Sequence, residues 1–263
     1  MLDATDAIGK ARQAVSDRAD LPGMSLMEHL DELRRRIIHS ALFLGLGFAV
    51  AWIFRDRLLN LLQAPLLKIG KSLVFTHPMD ALNLNLQTAL LGGAIVASPF
   101  ILFQIWLFIA PGLYQSERRF VVPFMVATVG LFLGGAAFGY FYVLPGAIKI
   151  LVLGFGHNFT SMITIEDYSS FFLSVILGLG VSFELPILIF FLAMFGIVSP
   201  RFLWKNIRYA VLAVFLVAAV ICPSPDPWTM CIYAIPMLTL YVIGIGVAWW
   251  VHPARRRAKE AAK

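Results

Sequence analysis

Long apolar blocks separated by short polar islands constrain this chain more than any other feature. Only 14% of its 263 residues are charged, whereas soluble domains average about 25%. A hydrocarbon core about 30 Å thick is crossed by about 20 helical residues. The blocks therefore predict an all-α integral membrane protein. Its predicted transmembrane segments are about 37–54, 84–110, 120–143, 168–197, 209–221 and 228–251.

The fifth block differs from the others because it holds only about 13 residues, roughly 20 Å of helix. A proline-rich turn, Pro223-Ser-Pro-Asp-Pro227, follows it at once. We expect this short fifth span either to end inside the membrane at that turn or to thin the bilayer around it.

Lysine and arginine are distributed unequally between the blocks. Sixteen of the 21 lie in the N-terminal segment, the second and fourth loops and the C-terminal segment. The first and third loops share the other five, and we expect caps or short helices there. By the positive-inside rule, this distribution predicts six spans with both termini cytoplasmic. We expect a flexible cytoplasmic tail at 1–24, one membrane domain at 25–251 and a basic cytoplasmic tail at 252–263.

Residue content argues against an enzyme or a metalloprotein. The five histidines are scattered without an i, i+4 pair, and the chain has only two cysteines. Neither a G-x-S-x-G motif nor a P-loop occurs. We therefore expect no catalytic residue, no metal and no cofactor, so any transport would draw on the proton motive force through partners. The net charge of +6 reports topology rather than a nucleic-acid partner.

Residues 25–36 precede the first span. Ser25 and Glu28 fit a capping box, which predicts a helix that starts at Ser25. Three arginines before an apolar run have the outline of a twin-arginine export signal. The run is too long for a cleavable signal and has no small-residue cleavage site, so it predicts a transmembrane helix. Spacing alone favours an i, i+4 salt bridge between Glu32 and Arg36.

Five stretches together resemble the TatC family, the multispanning receptor of the twin-arginine protein translocase. Their order and spacing agree with the family over about residues 25–250. The stretches are HLDELRRR at 29–36, SPFILFQIWLFIAPGLYQSERRFVVPF at 98–124, FGYFYVLP at 138–145, GVSFELPILIFFLAMFGIVSP at 180–200 and CPSPDPWTMCIYAIPM at 222–237.

The resemblance implies a function and a set of partners. It implies a cup-like arrangement of six helices in the bacterial cytoplasmic (inner) membrane. Such a chain recognises the twin-arginine signal peptides of folded proteins and nucleates their export complex. The implied partners are these signal peptides, single-span TatA- and TatB-type proteins, membrane lipids and further copies of the chain itself.

The resemblance also implies a signal-binding site on the cytoplasmic side. The family's recognition carboxylates match Glu32 and Glu117, and a guanidinium presents a fork of donors that a carboxylate accepts two at a time. The alternative for Glu117 is an ion pair with Arg118, Arg119 or a neighbouring chain. The aromatic residues around it are alternatively ordinary interface anchors. The rest of the implied site is Phe108, Pro111, Leu113, Tyr114 and Arg119.

Glu184 lies about 16 residues into the fourth block, near the middle of the membrane. A carboxylate at that depth is costly, so a functional role is the default hypothesis. Pro186, two residues on, predicts a kink. In the family this acid belongs to a concave polar face turned toward partner subunits. The alternatives are the acid of an ion-coupled secondary transporter, which would need further polar groups at mid-membrane, and a structural bond to Ser or Asn of another span.

Four further positions match the family. Asp226 matches an aspartate at the outer end of the fifth span. Cys222 and Met230 occupy positions of the partner-binding surface, although a threonine often stands in place of Cys222 and its hydroxyl contact would be lost. Pro65 matches a proline of the first external loop, and its alternative is a turn proline with no partner.

Overall fold

A computed structural model describes residues 26–109, 121–156, 162–221 and 227–251, and most of them are helical. Two short strands, β1 (Leu73–Val74) and β2 (Ile163–Thr164), pair in parallel. The α-helices in chain order are α1 (Leu26–Ile53), α2 (Arg55–Leu67), α3 (Asp80–Ile109), α4 (Val121–Phe138), α5 (Leu144–Ile148), α6 (Ile165–Ser182), α7 (Leu185–Met194), α8 (Pro200–Lys205), α9 (Ile207–Ile221) and α10 (Pro227–Val251).

Five helical segments in these ranges are long and apolar enough to cross a bilayer. Helix α9 is apolar but has only 15 residues, about 22 Å, which confirms the prediction of a short fifth segment. The sixth crossing and the positions of the termini stay predictions. The five long segments are Met27–Ile53, Asp80–Phe108, Pro123–Phe155, Ile165–Met194 and Pro227–Trp250.

The third segment is longer than predicted. The sequence predicted its end at residue 143, followed by an external loop. Instead, α4 continues through a π-helix at Gly139–Val143, helix α5 and a second π-helix at Lys149–Phe155. Pro145 and the glycine after it are loop signals, but the helix continues past them; where the membrane-spanning part ends stays a prediction. Leu144, Ala147 and Ile148 of α5 are buried, whereas the second π-helix has no buried residue. Pro145 stands in the first turn of α5, where a missing N–H is tolerated.

The fourth segment is interrupted where Pro186 predicted a kink. Helix α6 ends at Ser182 and α7 begins at Leu185, so Glu184 lies in the break. Proline has no N–H to give to the carbonyl four residues back, which here belongs to Ser182. Within the break, the Glu184 N–H donates to the Val181 carbonyl, three residues back, at 3.0 Å. The predicted kink is confirmed as a break between α6 and α7.

Helices α1 and α3 pack antiparallel along their length. Phe43 stacks on Phe100 with ring centroids 5.1 Å apart. Near the middle, Gly47 and Gly93 bring the two backbones together, because a Cβ at Gly47 would lie 2.5 Å from the Gly93 carbonyl oxygen. Only glycine permits so close an approach. The pairing fixes which residues of α3 lie beside the start of α1.

Helix α2 forms the expected short helix of the first loop, and two tyrosines hold it. The Tyr168 hydroxyl donates to the Leu62 carbonyl at 2.7 Å, and the Tyr140 hydroxyl donates to the Leu61 carbonyl at 3.0 Å. Pro65 lies inside α2 and is buried. Because it lacks an N–H, the Leu61 carbonyl loses its helical donor, and Tyr140 supplies the replacement.

The loop before α3 is closed by Asp80. One carboxylate oxygen of Asp80 accepts from the backbone N–H groups of Thr76 and His77, both at 2.8 Å, and from the Thr76 hydroxyl at 3.1 Å. The strand pair then joins this loop to the start of α6, with Leu73 opposite Ile163. The end of the molecule that carries α2, here called the α2 end, is thus tied together by polar contacts.

Candidate functional site

The antiparallel pair of α1 and α3 brings polar side chains together at the opposite end, where α1 begins and α3 ends. This is called the Glu32 end. His29 stacks on Phe108 with ring centroids 4.4 Å apart. Two turns further along α1, Arg36 donates a hydrogen bond to Gln104 of α3. Glu32 lies on α1 between His29 and Arg36, and Arg36 contacts it directly.

Arg36 bridges Glu32 and Gln104. Its Nη2 donates to Glu32 Oε1 at 2.9 Å, and its Nη1 donates to Gln104 Oε1 at 3.2 Å. The predicted i, i+4 salt bridge is therefore confirmed. The side chains of Glu32 and Arg36 are only 14% and 24% exposed, so solvent screens this pair less than an open surface pair.

The bridge leaves hydrogen-bonding capacity unused on both ions. Glu32 Oε2 and Arg36 Nε are buried, and neither has a hydrogen-bond partner among the described residues. A buried polar atom without a partner carries a free-energy cost of about 1–3 kcal/mol, and more when the group is charged. Glu32 can therefore gain stability from a further donor, and a guanidinium is a suitable one.

The outward flank of α1 is different. Asp31, Arg34, Arg35 and His39 are exposed there, and they line an open cavity of about 610 Å³. Charges exposed in this way are solvated and screened. Glu32 is the carboxylate of this stretch that the helix pair partly shields from water.

Only part of the predicted signal-binding site falls within the described ranges. Glu32 and Phe108 lie there, and α1 and α3 bring them to the same end. The other positions fall in 110–120, outside these ranges, and stay predictions: Glu117, Arg119, Leu113, Tyr114 and Pro111.

Two residues of the cluster were missed from the sequence. Gln104 and His29 were not singled out, although a glutamine within the apolar run of α3 is unusual enough to have been noticed. Gln104 is buried, and a buried amide needs partners. Its partner Arg36 lies 68 positions away in the sequence, so no local sequence pattern predicts this contact.

Glu184 stands at the break between α6 and α7 and is half-buried. Its Oε1 is buried without a hydrogen-bond partner in the described part of the chain. The structural alternative, a bond from this oxygen to Ser or Asn of another span, is thus not seen within those ranges. Gly244 of α10 lies beside this break, since a Cβ there would meet the Pro186 Cα at 3.4 Å.

The remaining predicted positions are spread over the molecule. Met230 is half-buried in the first turn of α10, and Pro65 is buried at the α2 end. Cys222 and Asp226 fall in 222–226, outside the described residues. Among the described residues, no hydrogen bond or ring contact links Met230 or Pro65 to Glu184, and the roles of all these positions stay predictions.

One group of possible metal ligands was not expected from the sequence. His77, Asp80 and Glu166 each place one ligand atom within 4.8 Å of the others, at the α2 end. The spacing of 77, 80 and 166 matches no ligand motif, which is why it was missed. His77 and Glu166 are exposed, and Asp80 already closes its own loop through three hydrogen bonds. Its contacts are those of a structural residue.

Comparison with known proteins agrees with this architecture. The family model of the Sec-independent protein translocase protein TatC matches residues 28–236. The TatC protein of Koribacter versatilis is 47% identical over 262 residues, covering 97% of this chain and 96% of that protein. The TatC protein of Aquifex aeolicus is 36% identical, covering 91% of this chain and all of that protein.

A solved structure extends the similarity to the fold. The crystal structure of a "Twin Arginine Translocase Receptor- TatC" matches with a TM-score of 0.78 and 36% identity, covering 85% of this chain and 99% of that one. These relatives are named for protein transport rather than for an enzymatic activity. The chain therefore belongs to the TatC family and is a multi-pass subunit of the Sec-independent protein translocase of the bacterial inner membrane.

Proposed function

We propose that this subunit recognises the twin-arginine signal peptide of folded proteins at the Glu32 end and nucleates the complex that exports them. The observation that carries the proposal is the state of Glu32, whose carboxylate is shielded by α1 and α3 and has one oxygen without a partner in the described residues. The crystal structure that the fold matches is named a twin-arginine translocase receptor, which supports the same role here.

Glu32 binds one arginine of the signal through a charge-assisted pair of hydrogen bonds. Its Oε2 is the vacant acceptor, and its Oε1 becomes the second when Arg36 withdraws. A bidentate guanidinium–carboxylate pair selects arginine over lysine, because lysine offers a point charge rather than a planar fork. Partial burial strengthens this selection, since a lost hydrogen bond is not replaced by water.

Arg36 holds the site at rest and competes with the signal. It occupies Glu32 Oε1 at 2.9 Å and keeps a second acceptor on Gln104 at 3.2 Å. Gln104 therefore gives Arg36 a neutral partner while the incoming guanidinium takes the carboxylate. The His29 ring on Phe108 covers the next turn of α1 and offers an apolar surface beside the bound peptide.

Glu117 provides the acceptor for the other arginine. This assignment rests on the family resemblance of PGLYQSERR at 111–119. Leu113, Tyr114 and Arg119 complete the site by the same resemblance. Each of the two arginines needs its own carboxylate acceptor. Both glutamates fall on the cytoplasmic side of a six-span topology with cytoplasmic termini. Folded passengers are made on that side.

Membership of the translocase implies partners within its complex. We assign single-span TatA- and TatB-type proteins to a concave membrane face that includes Glu184, Met230, Cys222 and Asp226. The unpartnered Oε1 of Glu184 supports this assignment, because a partner helix with a donor would satisfy it. Glu184→Gln is expected to keep peptide binding and to lose assembly, whereas an ion-coupled transporter would lose transport without any peptide dependence.

Peptide binding to the purified subunit tests the proposal. A signal peptide with two arginines is expected to bind, and its two-lysine analogue is expected not to. Glu32→Gln removes the charge at constant size and is expected to weaken binding about 10- to 100-fold, since hydrogen bonds to a charged group contribute about 1.5–3 kcal/mol. Titration of a labelled peptide followed by fluorescence anisotropy measures the change.

The matched control is Asp31→Asn. Asp31 precedes Glu32 on the same helix but is exposed, so the variant loses the same charge without losing a shielded acceptor. It is expected to bind the peptide as the unmodified chain does. Equal weakening by both variants would show that net charge alone attracts the peptide and would exclude a specific site at Glu32.

A further inference from the structure

A cavity at the α2 end combines two lysines with aromatic walls. It has a volume of about 350 Å³ and lies between α2 and the third transmembrane segment. Lys68, directly after α2, and Lys149, at the start of the second π-helix, both line it and are exposed. Neither lysine has an ion-pair or hydrogen-bond partner for its side chain among the described residues, and no acidic residue lines the cavity.

The position of the cavity matches the headgroup region of a bilayer. The third segment runs for 33 residues from Pro123 to Phe155, about 50 Å, and therefore exceeds a hydrocarbon core of about 30 Å. Counted from Pro123, the core ends near Tyr142, and Lys149 stands roughly 10 Å beyond it. Phe141 and Tyr142 are 68% and 70% exposed, as expected of aromatic residues at a membrane interface.

A second cavity adjoins the first on the side toward the middle of the third segment. It has a volume of about 270 Å³ and an almost wholly apolar lining that includes Leu61, Leu133 and Ala137. Tyr140 and Phe141 line both cavities. The Tyr140 hydroxyl is fixed by its bond to the Leu61 carbonyl, so the shared wall is held in place.

We propose that these two cavities together bind one anionic phospholipid. The phosphate lies between Lys68 and Lys149, and an acyl chain lies in the apolar cavity below Tyr140 and Phe141. Basic pockets at the ends of transmembrane helices recognise anionic headgroups by charge, and the adjoining apolar cavity favours a lipid over a soluble phosphate. Under the proposed topology, this lipid belongs to the outer leaflet. Its binding does not depend on recognition of the signal peptide.

Lipid titration of the purified chain in non-ionic detergent tests the proposal. The probe is phosphatidylglycerol with a fluorescent acyl chain, and phosphatidylcholine with the same chain is the zwitterionic reference. Phosphatidylglycerol is expected to bind more tightly. Lys68→Gln and Lys149→Gln are each expected to weaken its binding about fivefold, and the double variant about 25-fold, to the level of phosphatidylcholine.

Two further arms separate the headgroup from the chain. Lys71→Gln removes a neighbouring lysine that does not line the cavity and is expected to change nothing. Ala137→Phe fills the apolar cavity and is expected to weaken both lipids, with circular dichroism showing retained helix. Inorganic phosphate at millimolar concentration is expected not to displace the lipid.

Three results would overturn the proposal. The first is a double lysine variant that binds phosphatidylglycerol as the unmodified chain does. The second is displacement of the lipid by inorganic phosphate, which would make the ligand a soluble anion. The third is equal affinity for the two lipids in the unmodified chain. None of these depends on signal-peptide binding, so they leave the function proposed for Glu32 to its own test.

Discussion

The two ends of the helix pair α1 and α3 treat their polar groups in opposite ways. At the α2 end, Tyr168, Tyr140 and Asp80 all complete hydrogen bonds to backbone groups. At the Glu32 end, two buried atoms of an ion pair, Glu32 Oε2 and Arg36 Nε, lack partners among the residues described. The first arrangement stabilises the fold, whereas the second leaves hydrogen-bonding capacity unused on Glu32 and Arg36.

Proline positions sharpen this contrast. Pro65 and Pro99 each deprive a carbonyl of its helical donor, and a hydroxyl replaces it in both cases. Tyr140 donates to the Leu61 carbonyl at 3.0 Å, and Ser98 donates to the Ile95 carbonyl at 2.8 Å. Gln87, Thr88 and Glu184 also carry a buried side-chain oxygen without a hydrogen-bond partner among the described residues. The pair of Glu32 and Arg36 differs from these because each member of one ion pair carries such an atom.

The largest expected effect is loss of stability at the α2 end. Tyr168 is 3% exposed and donates to the Leu62 carbonyl. Tyr168→Ala is expected to lower the free energy of unfolding by about 3–5 kcal/mol because a buried ring is lost. Tyr168→Phe, which loses only the hydroxyl, is expected to cost about 1 kcal/mol. Thermal unfolding in detergent, followed by tryptophan fluorescence, gives the order of the two variants.

Signal-peptide affinity of the folded fraction is the second readout of these two variants. It is expected to stay the same, because Tyr168 belongs to the end of the molecule opposite Glu32. A Tyr168 variant that folds but no longer binds the signal peptide would contradict the assignment of structure to one end and binding to the other.

A smaller and opposite effect is expected at Arg36. Arg36→Ala removes the competitor from Glu32 Oε1 and is expected to tighten peptide binding about fivefold, the equivalent of about 1 kcal/mol. Arg35→Ala is the matched control, since it removes the same charge from an exposed position and is expected to leave the affinity within about twofold. Weaker peptide binding by Arg36→Ala alone would show that Arg36 belongs to the binding surface rather than competing with it.

The smallest effect is expected at Gln104. Gln104→Leu removes the acceptor for Arg36 Nη1, a bond of 3.2 Å, and is expected to change peptide affinity about twofold. The change is expected to vanish when Arg36 is already alanine, because the two residues act as a unit. A double-mutant cycle by anisotropy titration measures this coupling. Additive effects would separate Gln104 from Arg36.

Local patterns predicted what depends on neighbours in sequence. The apolar blocks, the short fifth helix, the bridge from Glu32 to Arg36 and the interruption at Pro186 all follow from spacing within a few residues, and the structure confirms them. The third segment did not follow this rule. Its turn signals at Pro145 and the following glycine were overridden by packing of Leu144 and Ile148 against the core.

The candidate site was less accessible to such reasoning. The resemblance led to Glu32 and Phe108, but Gln104 and His29 enter through contacts between α1 and α3 that span tens of residues. The tyrosine contacts of α2 were equally hidden, because their acceptors are backbone carbonyls that every residue carries. Sequence patterns show which side chains are unusual, whereas the partner of each one depends on the register of the helices.

The close approach of Gly47 and Gly93 has a mechanical consequence. With no side chain between them, the backbones of α1 and α3 lie in direct contact at this point. We expect the two helices to move together. Gly92, next to this contact, also lies against Leu58 of α2, so α2 packs directly on the pair. We therefore expect a tilt of α1 at Glu32 to be accompanied by movement of α3 and α2.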